Sequence, residues 1–434
     1  MSLVWLASQG KALTGEITVP GDKSVSHRAI MLGAIAEGVT RVTGFLEGED
    51  TLATARIFQQ LGVRIETPSP SERIIHGVGL HGLKASQEDL DCGNAGTAMR
   101  LLAGLLAGQK FRSKLIGDTS LSKRPMRRVI DPLSLMGAGI QAEQGGFPPL
   151  IINFNNELQF IEYKTEIASA QIKSAILLAG LYAEGETTVY EPHPTRDYTE
   201  KMLSAFGWPI EFRPGYARLS GGHRLIATDI QVPADFSSAA FFIVAATLIP
   251  GSNLLIKSVG MNPRRTGLLA ALRLMGADIE EENLREQAGE PVADLRVKYA
   301  VLSGIAVPEA LVPDMIDEFP ALFVAASLAK GETRVTGAAE LRVKESDRIA
   351  VMSEALRKLG AEITETPDGA IIQGGKLHGG EADSHGDHRI AMSLAVAGQM
   401  ATTAVQINDC DNVATSFPNF VGLSKSVGFG LNLQ

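Results

Sequence analysis

Six stretches of the chain are apolar on almost every helical face: SHRAIMLGAIAEG, TAMRLLAGLLAGQ, QIKSAILLAGLYAEG, SSAAFFIVAATLIPG, FPALFVAASLAKG and HRIAMSLAVAGQ. A surface helix keeps a polar stripe, so helices lacking one are predicted to be buried. Each ends near a glycine and runs into a segment rich in Val and Thr, such as TRVTGFL, TTVYEP or TRVTGAAEL, which predicts a strand. A second pattern runs in phase with the first. It recurs as FQQLGVRI (Gly62), LSLMGAGI (Gly137), LSAFGWPI (Gly207), LRLMGADI (Gly276), LRKLGAEI (Gly360) and SKSVGFGL (Gly428). Glycine takes positive φ at a helix C-terminus without penalty, so each copy reads as helix, left-handed cap, strand.

Six in-phase units make the chain an α/β repeat protein, most economically two domains of three units. The length of 434 residues also favours two cores over one. The break is expected near Val232-Pro233, which gives one domain of residues 22–233 and another of residues 1–21 with 234–434. A first strand is expected within Val4 to Pro20, ahead of the repeats. Its pairing with the C-terminal half would make two crossovers, and the pattern alone does not derive it.

Composition narrows the function. A net charge of -9 argues against a general nucleic-acid binder, which needs a basic face, but permits a local cationic site. Two cysteines, Cys92 and Cys410, fit neither a zinc site nor a disulfide framework and suit a reducing cytosol. The start, MSLVWLASQGK, lacks a signal-peptide pattern. The apolar runs are about a dozen residues long, against roughly 20 needed to cross a bilayer.

The polar residues that break the pattern gather at the starts of the buried helices. The first carries Gly21-Asp22-Lys23-Ser24-Val25-Ser26-His27-Arg28, and the second Gly93-Asn94-Ala95-Gly96-Thr97-Ala98-Met99-Arg100. The third carries Ser169-Ala170-Gln171, the fifth follows Asp317-Glu318, and the sixth starts Gly386-Asp387-His388-Arg389. The fourth, Ala234-Asp235-Phe236-Ser237-Ser238, has caps and no cation. A helix start offers unpaired N–H groups and partial positive charge, hence an anion site. Any one Ser, Asn or Asp there is explained as an N-cap, but caps do not explain the recurring cations. Ser24 and Arg28 are spaced to share one face, as are Asn94, Thr97 and Arg100. Lys123-Arg124-Pro125-Met126-Arg127-Arg128 reads as a loop opening a helix, and Lys344 and Arg348 in RVKESDR as lying one turn apart. Alone, each basic stretch could be solvated charge; arginine also suits bidentate capture of phosphate or carboxylate.

Two patterns mislead. Gly77-Val78-Gly79-Leu80-His81-Gly82 matches GxGxxG, but no buried helix follows, and IIQGGKLHGG resembles it in a later repeat, so it reads as a repeat turn. Asp383, His385, Asp387 and His388 lack metal-ligand spacing.

GDKSVSHR, GNAGTAMR, the SKRPM loop, SAQ, RVKESDR, GDHRIAM and TSFP, in this order, resemble the motifs of the 5-enolpyruvylshikimate-3-phosphate synthase family. The resemblance covers the whole chain. It implies an inside-out α/β barrel fold, two domains of three βαβαββ units closing over substrates, with helix N-termini facing the cleft. It implies carboxyvinyl transfer from phosphoenolpyruvate to the 5-hydroxyl of shikimate 3-phosphate, in the cytoplasm, by a monomer, with no metal or organic cofactor, no nucleic acid and no membrane. Carried over by motif, Glu345 donates a proton to the methylene carbon, Asp317 accepts the hydroxyl proton, and Lys23 stabilises charge and relays a proton. Lys23, Ser24, Arg28, Ser169, Gln171, Arg196, Asp317 and Lys344 are expected to hold shikimate 3-phosphate. Lys23, Asn94, Gly96, Arg124, Gln171, Arg348 and Arg389 are expected to hold phosphoenolpyruvate.

Each substrate carries a carboxylate and a phosphate of about −1.5 to −2, roughly −5 to −6 for the pair. Lys23, Arg28, Arg100, Arg124, Arg196, Lys344, Arg348 and Arg389, less Asp317 and Glu345, would balance that with about +6. Such an excess would hold facing domains apart until substrate arrived. Ala170 and Thr415 depart from some members of the family, Thr415 replacing a lysine that others place near phosphoenolpyruvate. Gly96 stands where members tolerant of glyphosate carry Ala, so sensitivity is the expectation. The alternatives are a UDP-N-acetylglucosamine enolpyruvyl transferase, whose Lys-Asn start and loop cysteine are absent here, an RNA 3′-phosphate cyclase of the same repeat, which lacks support from any basic face, and a non-catalytic phosphometabolite-binding paralogue.

Overall fold

The computed structural model describes residues 2–154, 157–287 and 289–434. Among these, twelve α-helices form: α1 (Lys23–Ile35), α2 (Glu49–Gln60), α3 (Gly96–Ala107), α4 (Arg127–Leu135), α5 (Ala170–Gly180), α6 (Tyr198–Ala205), α7 (Phe236–Leu248), α8 (Gly267–Leu274), α9 (Phe319–Leu328), α10 (Arg348–Lys358), α11 (His388–Gly398) and α12 (Phe420–Val427). The odd-numbered helices are the six apolar stretches, and every residue of α7 is buried. The even-numbered helices bury one face and end in the recurring glycines. All six of those glycines have φ between +80° and +117°, the left-handed cap that the pattern predicts.

The chain divides into two units. One comprises Met1–Pro20, Pro233–Glu286 and Glu290–Gln434; the other comprises Gly21–Val232 and Gln287–Gly289. Each has its own apolar core, the first built on α7, α9 and α11, the second on α1, α3 and α5. Helices α3 and α5 approach closely enough that a Cβ at Gly104 would lie 2.0 Å from the Ala175 carbonyl oxygen. Glycine is therefore required there.

Each unit carries three small sheets, five of the six mixing parallel and antiparallel pairs and the three-stranded one, Glu332–Val335, Gly369–Gln373 and Glu362–Thr366, wholly antiparallel. In one, Glu37–Thr43 runs antiparallel to Glu72–Val78, which pairs in turn with Arg64–Glu66. A short parallel strand, Ile230–Gln231, completes the outer edge of that sheet. The end of the second unit thereby pairs with its own beginning, closing a ring of three repeats.

The first unit closes differently. Its last sheet runs Gly380–Asp383, Val405–Asn408, Trp5–Ser8, Gly430–Leu433. Trp5–Ser8 takes the central place that the last strand of the repeat fills elsewhere. Thr14–Ile17 then adds a parallel edge to Asn253–Gly260. The single strand expected between Val4 and Pro20 is thus two strands in two sheets, because each must complete a different repeat. The fixing contact is apolar: Trp5 is buried and stacks on Phe420 with ring centroids 5.5 Å apart. The GxGxxG look-alike ends the strand Glu72–Val78 and is followed by turn and a further strand, not a helix.

One buried histidine ties α1 to α2. His27 Nδ1 lies 2.8 Å from Thr54 Oγ1. Burial, reinforced by the charges of Lys23 and Arg28, holds the imidazole well below its ordinary value of 6.5. The folded chain therefore keeps His27 neutral where the unfolded chain protonates it. This contribution to stability is complete above about pH 6.5 and is lost as pH falls below it, at up to about 1.4 kcal/mol per pH unit. Urea unfolding at stepped pH is expected to show a shallower loss of stability below pH 6.5 in His27→Gln than in the parent. Equal slopes would show that this histidine does not set the acid sensitivity.

Candidate active site

Fully buried helices leave polar chemistry to their ends, and the candidate residues lie there. In the second unit, Asp22 caps α1 by accepting from the Val25 amide at 2.9 Å, and Tyr198 donates to its other oxygen. Lys23 then opens the helix and pairs with Asp50 at 3.0 Å. Arg28, one turn on, donates to the Ser24 carbonyl at 3.0 Å, to Thr199 at 2.7 Å and to Ser174 at 2.9 Å. Burial lowers its guanidinium to about 10, which Glu200 and Asp22 oppose and Arg196 reinforces.

The starts of α3 and α5 meet through Gln171. Its side-chain oxygen accepts from Arg100 at 2.6 Å and its nitrogen donates to Thr97 at 2.8 Å. Asn94 lies ahead of the helix rather than on a face shared with Thr97 and Arg100, because α3 begins only at Gly96. It receives Arg124 instead, at 2.6 Å, and donates to Asp118 at 2.7 Å. A Cβ at Gly96 would lie 3.2 Å from Arg100 Nη1 and 3.3 Å from Arg124 Nη1. Ser169 occupies the N-cap position of α5 yet makes no capping bond. The structure thus brings Asn94, Gly96, Arg124 and Gln171 into one connected group, and Lys23, Ser24 and Arg28 onto one helix start.

In the first unit the centre is Arg348. It is nearly inaccessible, and its guanidinium contacts Glu345 at 2.6 Å, Asp387 at 2.8 Å and Asp317 at 3.5 Å. Burial opposes this charge, but Asp387, Glu345 and Asp317 together push Arg348 above its ordinary value. Asp387 is also the N-cap of α11, accepting from the Arg389 amide at 3.0 Å, and Ser346 donates to it. Arg389 lies 3.7 Å from Glu318, which also receives the Ser237 hydroxyl. Lys344 does not stand one helical turn from Arg348. It lies in extended backbone between a 3-10 turn and Asp347, which caps α10, so the helix starts only at Arg348. Withdrawal from water holds its ammonium below the ordinary lysine value, Arg348 adds to this, and Asp317 and Glu340 oppose it.

The charge balance differs from the expectation. Around Arg348, the cations Arg265, Lys344, Arg348 and Arg389 meet the carboxylates Asp235, Asp317, Glu318, Glu345 and Asp387. Counting Asp317 and Glu345 alone left out three acids, so this unit lacks the cationic excess on which repulsion would depend. The omitted acids were visible as caps or helix-start residues. Arg265 was not anticipated at all: the fourth buried helix does meet a cation, supplied from a loop after the following strand, 2.9 Å from its cap Asp235. Thr415 is buried and donates to the Asn412 carbonyl at 2.7 Å. Among the described residues, no group of three or more His, Cys, Asp and Glu could hold a metal ion, and no helix is long and apolar enough to cross a membrane.

Known proteins resemble this chain over nearly its whole length. The profile of the EPSP synthase (3-phosphoshikimate 1-carboxyvinyltransferase) family matches residues 7–423. A 3-phosphoshikimate 1-carboxyvinyltransferase of Xanthomonas campestris pv. campestris is 67% identical over 430 residues, covering 99% of this chain and 98% of its own. One from Xanthomonas euvesicatoria pv. vesicatoria is 66% identical over 427 residues, covering 98% and 97%. The solved structure of EPSP synthase from Acinetobacter baumannii superimposes with a TM-score of 0.90 at 53% identity, covering 100% of both chains. With this coverage and identity, the chain belongs to the EPSP synthase family.

Proposed function

We infer that the chain transfers the carboxyvinyl group of phosphoenolpyruvate to the 5-hydroxyl of shikimate 3-phosphate and releases phosphate. Family membership favours this reading over transfer to a nucleotide sugar, RNA cyclisation or binding without turnover. The observation that carries it chemically is the pair of carboxylates, Asp317 and Glu345, held on one buried guanidinium. Pure anion binding gains nothing from carboxylates placed there, whereas addition followed by elimination needs a proton donor and a proton acceptor.

In this reading Glu345 protonates the methylene carbon, which makes C2 electrophilic. The hydroxyl adds to C2 as its proton passes to Asp317; the tetrahedral intermediate then returns one methyl proton to the deprotonated Glu345, the C2–C3 double bond re-forms, and phosphate leaves with the C2–O bond electrons. Lys23 stabilises charge at the bridging phosphate oxygen. Contact with Arg348 disfavours the protonated form of Glu345. Arg348 therefore turns its charge toward the phosphoenolpyruvate anion before Glu345 can act as an acid. Asn94, Gly96, Arg124, Gln171, Arg348 and Arg389 hold phosphoenolpyruvate, and Ser24, Arg28, Ser169, Gln171, Arg196, Asp317 and Lys344 hold shikimate 3-phosphate, with Lys23 touching both. The amides of Asn94 and Gln171 support this assignment, since they orient Arg124 and Arg100 through neutral groups. The enzyme works as a cytoplasmic monomer.

Phosphate release from phosphoenolpyruvate is expected with shikimate 3-phosphate and not with UDP-N-acetylglucosamine; release only with the latter would reverse the assignment. Glu345→Gln is expected to lower kcat by about 10²–10⁴-fold while both substrates still bind by calorimetry. A kcat within tenfold of the parent's, with order of magnitude judged on that scale, would remove Glu345 from the acid role. Gly96→Ala places a methyl against two guanidiniums and is expected to raise KM for phosphoenolpyruvate, and the inhibition constant of glyphosate, far more than KM for shikimate 3-phosphate. Equal changes for both substrates would show that the residue does not face phosphoenolpyruvate.

A further inference from the structure

Between the strand Asn253–Gly260 and α8 the chain reads Met261-Asn262-Pro263-Arg264-Arg265-Thr266. Asn262 closes a tight turn here: its carbonyl accepts from the Arg265 amide at 2.8 Å and its side-chain oxygen from the Arg264 amide at 2.9 Å. Its own amide group is anchored on Glu290 at 2.9 Å. The turn sets two adjacent arginines against the segment leading into α9. Arg264 meets Asp314 at 3.2 Å, within the 3-10 turn Pro313–Met315, and Arg265 meets Asp317 at 3.4 Å. Helix α8 closes on the same segment, and a Cβ at Gly267 would lie 2.9 Å from the Leu311 carbonyl oxygen.

Arg265 is almost wholly buried, and its other terminal nitrogen bonds the α7 cap, Asp235, at 2.9 Å. A buried guanidinium is costly to desolvate, and ion pairs of this kind are a weak source of stability. What Arg265 does provide is location. It ties Asp317 to the rigid start of α7, while Arg348 ties the other oxygen of Asp317 to Asp387, the cap of α11. The charges alternate along Asp235, Arg265, Asp317, Arg348 and Asp387, with Asp317 in the middle.

We propose that Arg265 is a positioning residue of the reaction: it holds the Asp317 carboxylate ionised and fixed to accept the hydroxyl proton. This rests on the reading of Asp317 given above. In that step the substrate O–H bond breaks, its electron pair forms the new C–O bond at C2, and the proton is carried by Asp317. The groups around Asp317 are the cations Arg265, Arg348 and Lys344, and the carboxylates Asp235 on α7, Asp314 and Glu318 beside it in sequence, Glu345 ahead of α10 and Asp387 on α11. A neighbouring guanidinium holds an aspartate's titration about 1–3 pH units lower, so removing Arg265 lets Asp317 keep a proton to higher pH.

The test is the pH dependence of kcat/KM for the parent, Arg265→Gln, Arg265→Lys and Asp317→Asn, with melting temperatures taken alongside. Ionisation of the substrates is common to all variants, so a difference between profiles belongs to the protein. In Arg265→Gln the acid limb is expected to move up by about one pH unit or more, with activity recovering toward the parent's at alkaline pH. Lysine keeps a charge but cannot bridge two carboxylates as a guanidinium does, so Arg265→Lys is expected to shift the limb in the same direction by less. A limb at the parent's pH in both variants, whatever uniform loss accompanies it, overturns the proposal. If Arg265→Gln fails to fold, Arg265→Lys decides by the same criterion. Asp317→Asn separates the two ideas: activity within about tenfold of the parent would overturn the reading of Asp317 itself, irrespective of the arginine.

Discussion

A helix buried on every side has nowhere to put polar chemistry except its ends, and this constraint organises both units. The first-turn N–H groups of α1, α7 and α11 have no partner within their helices, and an acceptor ahead of the helix is needed to pair some of them. Asp22, Asp235 and Asp387 supply it. A carboxylate buried at such a cap needs a cation to compensate it, and where one can reach, an arginine arrives: Arg265 on Asp235, Arg348 on Asp387. Cap and cation are thus two consequences of one packing decision. The polar cluster of the first unit exists because three apolar helices are buried there.

This explains why so much was legible in the sequence. Burial on all faces leaves an unbroken apolar signature, and a left-handed helix cap leaves a glycine, so the six units and their phase could be read directly. The motif residues lay at helix starts because that is where buried helices keep their polarity. Illegible were the non-local steps. Nothing in Trp5–Ser8 or Thr14–Ile17 says that the two strands complete different sheets; that follows from the inserted unit interrupting a ring of repeats. Arg265 was hidden for the same reason. It sits in a loop 30 residues after the cap it serves, and local pattern does not show which helix a loop arginine will reach. Lys344 was misplaced by treating a continuous charged stretch as one helix, when Asp347 caps α10 and stops it from extending back.

The two clusters differ in how their cations are held, and that difference suits different tasks. Asn94 and Gln171 orient Arg124 and Arg100 through neutral amide oxygens, which fix a guanidinium without cancelling its charge. An arginine held this way keeps its attraction for an anion. Arg348 is fixed by three carboxylates, and an anion approaching it must compete with them. That is a poor way to build affinity. It is a good way to couple anion arrival to proton chemistry, because each carboxylate that loses its share of Arg348 becomes a stronger base. Glu345 meets Arg348 at 2.6 Å and is the most exposed of the three carboxylates. Asp387 is inaccessible and committed to its helix cap, so it stays. Asp317 keeps a second guanidinium, Arg265, whatever Arg348 does. In the proposed reaction, one competition for Arg348 therefore bears unequally on Glu345, the proposed acid, and on Asp317, the proposed base, which keeps Arg265.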